Sequence, residues 1–454
     1  MYPETKENPP HRAVIELATQ LRMVDIFGHR SAMPQTNTTD NLRAANGQPT
    51  GGRNVKYLEG LRGLAALWVV LDHIFRFTLV GTQMTGWQAI VRDTLGWILQ
   101  GRVCVDLFIV LSGYLLMRPV VSAGTGQLPG GRWDYIKRRA RRILPPYYAA
   151  LLISIGIIAL VPALNGTLAP EWADAVPAWG THMILAHLFL VHNLSYHWAS
   201  KINPPFWTIA TEWQIYFLFP ILLLPIWRRM GNIGVIFCAL AVGLGGFLIL
   251  GKGHATAPWY LGLFAMGMAA AATDRPNRKR WRFRTVSLML IFAILTAECA
   301  AGKLRFITTN GIEGLWPYNW AFDTLAGAAA ACLLVYTKAL TNRPHHWLIR
   351  NLSRPSAAWL GAVSYSLYLI HDPLLALAKL GLNQAQFGPY AQYLCMTFIG
   401  VPIVLAITWP FHLLFERPYM NSRRPQAICE PVLEALPSRH GQRDLLRLPE
   451  TVGT

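Results

Sequence analysis

An arginine and a histidine in the first long apolar stretch are spaced so that one ligand can contact both. Arg62 and His73 stand eleven residues apart, and eleven helical steps of about 100° return to within roughly 20° of the same face. At about 1.5 Å per residue, the side chains lie roughly 16 Å apart along the helix. A neutral imidazole accepts protons, and a guanidinium binds phosphate. The spacing alone also fits a structural role, with the arginine reaching the membrane surface and the histidine hydrogen-bonded in the core.

Two polar stripes and three single acids also stand inside apolar stretches. A charged group within a membrane span costs at least about 2.5–3.5 kcal/mol, so such residues are candidates for function. The single acids are Asp72, Asp106 and Asp372. The stripes recur at helical spacing, which places each on one helix face; they consist of Thr208, Glu212 and Tyr216, and of Ser364, Tyr368 and His371. Hydrogen bonding between helices is the alternative role for each stripe.

The composition indicates a membrane protein. Of 454 residues, 53% are hydrophobic and 14% are charged, whereas soluble domains carry about 25% charged residues. The net charge of +18 arises from basic residues between apolar runs, which we assign to anionic lipid headgroups and membrane topology rather than to nucleic acid. The six cysteines show no CxxC pair, so we expect neither a disulfide framework nor a metal site.

Ten apolar segments are long enough to cross a bilayer, which takes about 17–25 residues. The sequence therefore predicts an all-α, polytopic integral membrane protein with about ten transmembrane helices. The segments lie at 58–80, 103–121, 145–163, 206–227, 232–251, 257–273, 285–300, 321–340, 359–380 and 392–415. We expect a polar N-terminal tail at 1–56, a transmembrane domain at 57–419 and a polar C-terminal tail at 420–454, with no appended soluble domain.

An eleventh apolar segment, 179–194, is short and carries three histidines. If it does not cross, both termini share one side with loops that hold 22 lysines and arginines, and the opposite loops hold seven. The positive-inside rule then puts both termini in the cytoplasm and makes this segment an outer loop helix or a re-entrant piece. Its histidines and His197 recur every five residues, which gives no common helix face. We therefore expect acceptor contact or solvation there rather than zinc binding.

Six short motifs follow one another within residues 57–419. The first is Arg62 and His73 with ten residues between them; the others are Gly101–Tyr114, the basic run Arg138–Pro145, Trp207 with Glu212, Tyr216 and Pro220, the run Ser364–Pro373, and Glu416 with Pro418. Together they resemble the membrane-bound acyltransferase-3 family. In the fourth motif, Trp213 stands where the family has a second acid, and Thr208 stands where it has a serine. If the missing acid helps to place the acceptor, we expect the acceptor of this chain to differ in type from the acceptors of the commonest family members.

The resemblance implies transfer of an acyl group, most often acetyl, from acyl-coenzyme A to a hydroxyl of a saccharide or another small or lipid-linked acceptor. Acyl-coenzyme A is then a co-substrate, and no cofactor is permanently bound. The donor is cytosolic, so we expect it to meet the cytoplasmic face of a plasma or inner membrane. The residues expected to hold its phosphates are Arg62, Arg138, Arg139 and Arg142.

An alcohol must lose its proton to attack a thioester, so this reaction needs a base. His73 is the candidate general base, and either Asp106 or Glu212 is expected to orient its ring. Residues expected to contact the acceptor or to link helices are Trp207, Thr208, Tyr216, Ser364, Tyr368 and His371. The alternative function is a secondary transporter with ten spans, but the sequence shows none of the repeated halves that are typical of that class.

Overall fold

The computed structural model describes residues 53–165, 180–250, 257–273, 279–310, 316–341 and 345–420, together with Trp172, Ala175 and Arg343. Over these residues the protein is helical and contains no β-strand, so the all-α part of the predicted fold class is confirmed. The two predicted polar tails lie almost entirely outside the described residues.

The α-helices of the described residues are numbered here in chain order. They are α1 (Arg53–Thr78), α2 (Trp87–Ile98), α3 (Gly101–Ser122), α4 (Gly131–Leu160), α5 (Thr181–Leu188), α6 (Tyr196–Ala199), α7 (Phe206–Leu218), α8 (Leu224–Leu250), α9 (Tyr260–Ala272), α10 (Lys279–Asn310), α11 (Trp316–Leu340), α12 (Trp347–Leu352), α13 (Pro355–Gln384), α14 (Pro389–Cys395), α15 (Val401–Phe411) and α16 (Arg417–Met420). The π-helical segments Phe219–Leu223, Met396–Gly400 and His412–Glu416 join consecutive helices.

Seven helical stretches within the described ranges are long and apolar enough to cross a membrane. They are Trp87–Ser122, Gly131–Leu160, Phe206–Ile249, Phe283–Ala301, Asn319–Leu340, Pro355–Gln384 and Pro389–Met420. These stretches support a multi-pass membrane protein, but they do not confirm the predicted count of about ten. α1 is long enough but carries six charged residues, and α9 is apolar but only 13 residues long.

The stretch Phe206–Ile249 is broken within its length. Its 44 residues would extend roughly 66 Å as one straight helix, against a hydrocarbon core of about 30 Å. Gly231 interrupts the helix with φ 68° and ψ −163°. A positive φ of this kind is open to glycine without steric cost, so the chain changes direction here.

Glycines bring α1 and α13 into direct backbone contact. A Cβ atom at Gly361 would collide with the carbonyl oxygen of Glu59, and one at Gly63 would lie 2.5 Å from the backbone nitrogen of Gly361. Small residues at such crossings allow membrane helices to approach closely. The contact between His73 and Asp372 lies further along both helices, so α1 and α13 run in the same direction.

α9 forms the centre of the helix packing and holds α3 in place. Twelve of its 13 residues are buried. A Cβ atom at Gly267 of α9 would collide with the carbonyl oxygen of Val110, and one at Gly113 of α3 would collide with that of Phe264. This close crossing fixes the helix that carries Asp106 and Ser112.

Candidate active site

His73 in α1 is hydrogen-bonded to a carboxylate of α13. Its Nδ1 lies 2.6 Å from Oδ1 of Asp372, and Oδ2 of that carboxylate accepts a 2.9 Å hydrogen bond from the indole Nε1 of Trp172. The side chain of His73 is 24% exposed, and that of Asp372 is 3% exposed. The carboxylate holds the imidazole proton on Nδ1, which leaves Nε2 as a proton acceptor. A general base needs this arrangement.

The carboxylate on His73 is neither of the two that we expected. Asp106 is fully buried on α3, and Glu212 bonds to other groups, but the ring of His73 is held by Asp372. Asp372 directly follows His371 in the fifth motif, so its sequence position was visible, but its partner lies 299 residues away. Trp172 belongs to none of the motifs, and nothing in the sequence pointed to it.

His371 adjoins the ring of His73. The two ring centroids lie 4.9 Å apart, with an interplanar angle of 78°. Nδ1 of His371 lies 3.1 Å and 2.9 Å from the carbonyl oxygens of Leu367 and Tyr368, so this nitrogen is the donor. Its buried Nε2 has no hydrogen-bond partner among the described residues. We call the group of His73, His371, Asp372 and Trp172 the histidine centre.

A cavity of about 370 Å³ lies between α1, α3, α4, α7 and α13. Its lining includes three guanidinium groups, those of Arg62, Arg139 and Arg142, and two carboxylates, those of Glu59 and Glu212. The lining therefore carries an excess of positive charge, which favours a ligand with phosphate groups. We call this space the arginine cavity.

Both predicted polar stripes face the arginine cavity. The members that line it are Thr208, Glu212, Tyr216, Ser364 and Tyr368. Glu212 accepts hydrogen bonds from the hydroxyls of Ser112 and Tyr216, and the hydroxyls of Thr208 and Tyr368 lie 2.7 Å apart. The stripes therefore belong to one site, and they also link α3, α7 and α13.

Three predicted site residues, Asp106, Arg138 and Trp207, belong to neither the arginine cavity nor the histidine centre. Arg138 is exposed, and its Nη2 donates a 3.0 Å hydrogen bond to the carbonyl oxygen of Pro129. Successive helical residues point about 100° apart, so Arg139 faces the arginine cavity and Arg138 does not. The ring of Trp207 packs against that of Tyr260 in α9, with centroids 5.9 Å apart, and does not line the arginine cavity.

The histidine centre is arranged for hydrogen bonding. Among the described residues, His73, His371 and Asp372 present possible metal-ligand atoms within 4.8 Å of one another. The contact between His73 and Asp372 is 2.6 Å, shorter than the roughly 3.4 Å between two ligands of a tetrahedral zinc ion with bonds of about 2.1 Å. The geometry therefore suits proton transfer better than metal binding, and the expectation of no metal cofactor stays a prediction.

The histidines near 179–194 are not placed as expected. α5 has only eight residues, and Leu190 beyond it has a φ of 54°, so the segment is not one helix. The rings of His187 and His192 stack with centroids 4.0 Å apart, and both residues are fully buried. Burial lowers the pKa of both imidazoles. The expectation of solvation is wrong for these two, which pack in the interior, and acceptor contact stays a prediction.

Comparison with known proteins places the chain in a family. A family model described as an acyltransferase domain matches residues 55–411. This match covers most of the chain and confirms the resemblance drawn from the motifs. The protein belongs to the acyltransferase-3 family.

Individual relatives are distant and longer than this chain. A Staphylococcus aureus protein provisionally named an O-acetyltransferase is 23% identical over 392 residues, which cover 81% of this chain and 57% of the relative. The peptidoglycan O-acetyltransferase OatA of Listeria monocytogenes is 23% identical over 343 residues, covering 71% of this chain and 50% of the relative. The chain thus spans about half the length of these relatives. No solved structure matches it.

Proposed function

We propose that this protein transfers an acetyl group from acetyl-coenzyme A to a hydroxyl of a saccharide or lipid-linked acceptor, with His73 as general base. The observation that carries this proposal is the position of two different sites along α1 and α13. The arginine cavity includes Arg62, and the histidine centre begins at His73, roughly 16 Å further along α1. The pantetheine arm of coenzyme A is of similar length, so a donor bound by its phosphates brings its thioester towards His73.

The arginine cavity supports donor binding. Arg139 and Arg142 come from α4 and Arg62 from α1, so guanidinium groups converge from two helices. Guanidinium groups bind phosphate oxygens in pairs and stay charged at physiological pH. We assign these three arginines to the phosphates of the donor and leave Arg138, which faces solvent, outside the site.

The histidine centre supplies the proton transfer. Nε2 of His73 takes the proton of the acceptor hydroxyl while the hydroxyl oxygen forms a bond to the thioester carbonyl carbon. The carbon–sulfur bond then breaks, and the coenzyme A thiolate leaves with the proton that His73 returns. Asp372 holds the imidazole in its reactive orientation and stabilises its protonated form, as the carboxylate does in a catalytic triad.

The acceptor class rests on the named relatives. One of them is named as acting on peptidoglycan, a polymer with saccharide hydroxyls, and this supports a saccharide acceptor here. Trp213 replaces the second acid of the family motif, so we expect the acceptor contacts of this chain to differ from those of common members. We do not favour the transporter alternative because the chain belongs to an acyltransferase family.

The experiment uses the purified protein and two readouts. With acetyl-coenzyme A, we expect free thiol to appear faster when a saccharide acceptor is added, and the acceptor to gain the mass of one acetyl group. Thiol release that no hydroxyl acceptor accelerates, with no acetylated product, would contradict the proposal.

We also propose ten membrane crossings with both termini in the cytoplasm. The crossings are α1, α3, α4, the chain from α7 to Gly231, the remainder of α8, α9, α10, α11, α13 and the chain from α14 to α16. Each predicted apolar segment overlaps one of these elements, and the loops assigned to the cytoplasm hold 22 basic residues against seven outside. This distribution follows the positive-inside rule.

Cysteine labelling in intact cells tests this topology. Trp133 and Phe189 are each 70% exposed and lie on opposite sides in this arrangement. We expect a membrane-impermeant maleimide to label Phe189→Cys at once and Trp133→Cys only after permeabilisation, with the wild-type chain as background. Labelling of Trp133→Cys in sealed cells would overturn the ten-span count.

A further inference from the structure

The arginine cavity has a defined inner end. On α1 its lining residues are Leu58, Glu59 and Arg62, and on α13 the last lining residue in chain order is Tyr368. Because α1 and α13 run in the same direction, His73 lies beyond this level. A donor that enters at the arginines must therefore pass Tyr368 to react at His73.

A hydrogen bond between two helices closes this end. The hydroxyls of Tyr368 in α13 and Thr208 in α7 lie 2.7 Å apart. Thr208 donates its own proton to the carbonyl oxygen of Pro205 at 2.9 Å, so Tyr368 is the donor to Thr208. Both residues are buried, at 8% and 6% exposure.

A third helix completes the closure. The ring of Phe108 in α3 lies edge-on to the ring of Tyr368, with centroids 6.1 Å apart and an interplanar angle of 78°. Phe108, Thr208 and Tyr368 all line the cavity. We call these three residues the collar, since they come from three helices and meet at one level.

Buried side chains occupy the space directly beyond the collar. The ring of His371 lies 5.7 Å from that of Tyr368 and 4.9 Å from that of His73. His371 and Trp172 are fully buried, and Asp372 is 2% exposed. A thioester carbonyl that reaches the acceptor hydroxyl at His73 thus brings its acyl chain into a confined volume.

We propose that the collar and the packed side chains beyond it set the length of the acyl group: they leave room at His73 for a short chain beside the donor arm, and a longer chain keeps its thioester on the arginine side. The proposal rests on the proposed function, with acyl-coenzyme A as donor. Each additional methylene that a pocket must reject is worth about 10- to 200-fold in selectivity. An increase in length from two to six carbons is therefore a sensitive test of the collar.

The test compares acetyl- and hexanoyl-coenzyme A on the full-length protein and on single variants. In Phe108→Ala, which removes one wall of the collar, we expect the ratio of hexanoyl to acetyl transfer to rise by about tenfold or more. Leu115→Ala is the matched control, because Leu115 lines the same cavity in the same helix two turns from Phe108. The control should retain the wild-type ratio.

Thr208→Ala carries the same test if Phe108→Ala is not recovered as a folded protein. It removes the acceptor of the Tyr368 hydroxyl, so the ratio should rise in the same direction. An unchanged ratio of hexanoyl to acetyl transfer in the collar variants would overturn the proposal. An equal rise of this ratio in Leu115→Ala would also overturn it, because acyl length would then depend on the total volume of the cavity. If the wild-type protein transfers neither acyl group, the proposed function itself fails.

Discussion

The arginine cavity and the histidine centre lie along the same two helices but are built in opposite ways. The cavity is about 370 Å³ in volume and is lined by three guanidinium groups and two carboxylates. In the centre, Trp172, Asp372 and His73 form a continuous chain of hydrogen bonds of 2.9 Å and 2.6 Å. The first is an open charged space and the second a packed polar chain.

Under the proposed function, this difference separates donor binding in the cavity from proton transfer in the histidine centre. A phosphate-bearing ligand needs positive charge and room, and small shifts of a long arginine side chain cost little. Proton transfer needs one fixed geometry, so its groups are held by neighbours whose own positions are fixed. We therefore expect changes in the cavity to alter the KM for donor and changes in the centre to alter kcat.

Among changes to the groups that surround His73 and to the arginines, the largest effect is expected from Asp372→Asn. The amide keeps the size of the side chain but cannot stabilise a protonated imidazole, and it can select the wrong tautomer of His73. We expect kcat to fall on the order of 10²-fold, within the range for loss of general-base catalysis, with little change in the KM for acyl-coenzyme A. Steady-state kinetics measure both, and a rise in KM at unchanged kcat would place Asp372 in donor binding instead.

The arginines of α4 that line the arginine cavity test whether the cavity binds the donor. Loss of a hydrogen bond to a charged group costs about 1.5–3 kcal/mol, so Arg139→Ala and Arg142→Ala should each raise the KM for acyl-coenzyme A about 10- to 100-fold, with kcat largely retained. Arg138→Ala is the control, since Arg138 is exposed and bonds to the carbonyl oxygen of Pro129. Equal effects of all three changes would mean that the basic run sets the membrane topology and does not bind the donor.

A smaller effect is expected from Trp172→Phe. This change keeps an aromatic ring in a fully buried position but removes the indole donor to Asp372. We expect kcat to fall about tenfold, the lower end of the loss for one hydrogen bond to a charged group, while the KM for donor stays at the wild-type value. If KM and kcat change together, or if only thermal stability falls, the indole is a packing group rather than a positioning residue.

Helical spacing predicted the arginine cavity better than it predicted the histidine centre. The residues of each stripe recur within a single helix, so their common face follows from a period of 3.6 residues. The same rule placed Arg62 and His73 on one side of α1. Glu212, predicted as a possible partner of His73, lies instead in the cavity, bonded to Ser112 and Tyr216.

The pairing of His73 with Asp372 could not be predicted from helical spacing. It depends on how α1 crosses α13, and that crossing depends on glycines whose importance appears only when backbones meet. Trp172 comes from outside the predicted spans and carries no periodic signal. Periodicity also misjudged His187 and His192, because the helix there ends at Leu188 and the rings stack across a turn.

The most direct test of the central claim is the rate of thiol release by His73→Gln, measured with acetyl-coenzyme A and a saccharide acceptor. Glutamine keeps hydrogen bonding but cannot take a proton, so the account predicts a loss of about 10²–10⁴-fold in a protein that remains folded in detergent. His182→Gln, at an exposed histidine outside the centre, should retain the wild-type rate. A rate for His73→Gln close to that of the wild-type protein would contradict general-base catalysis at this position.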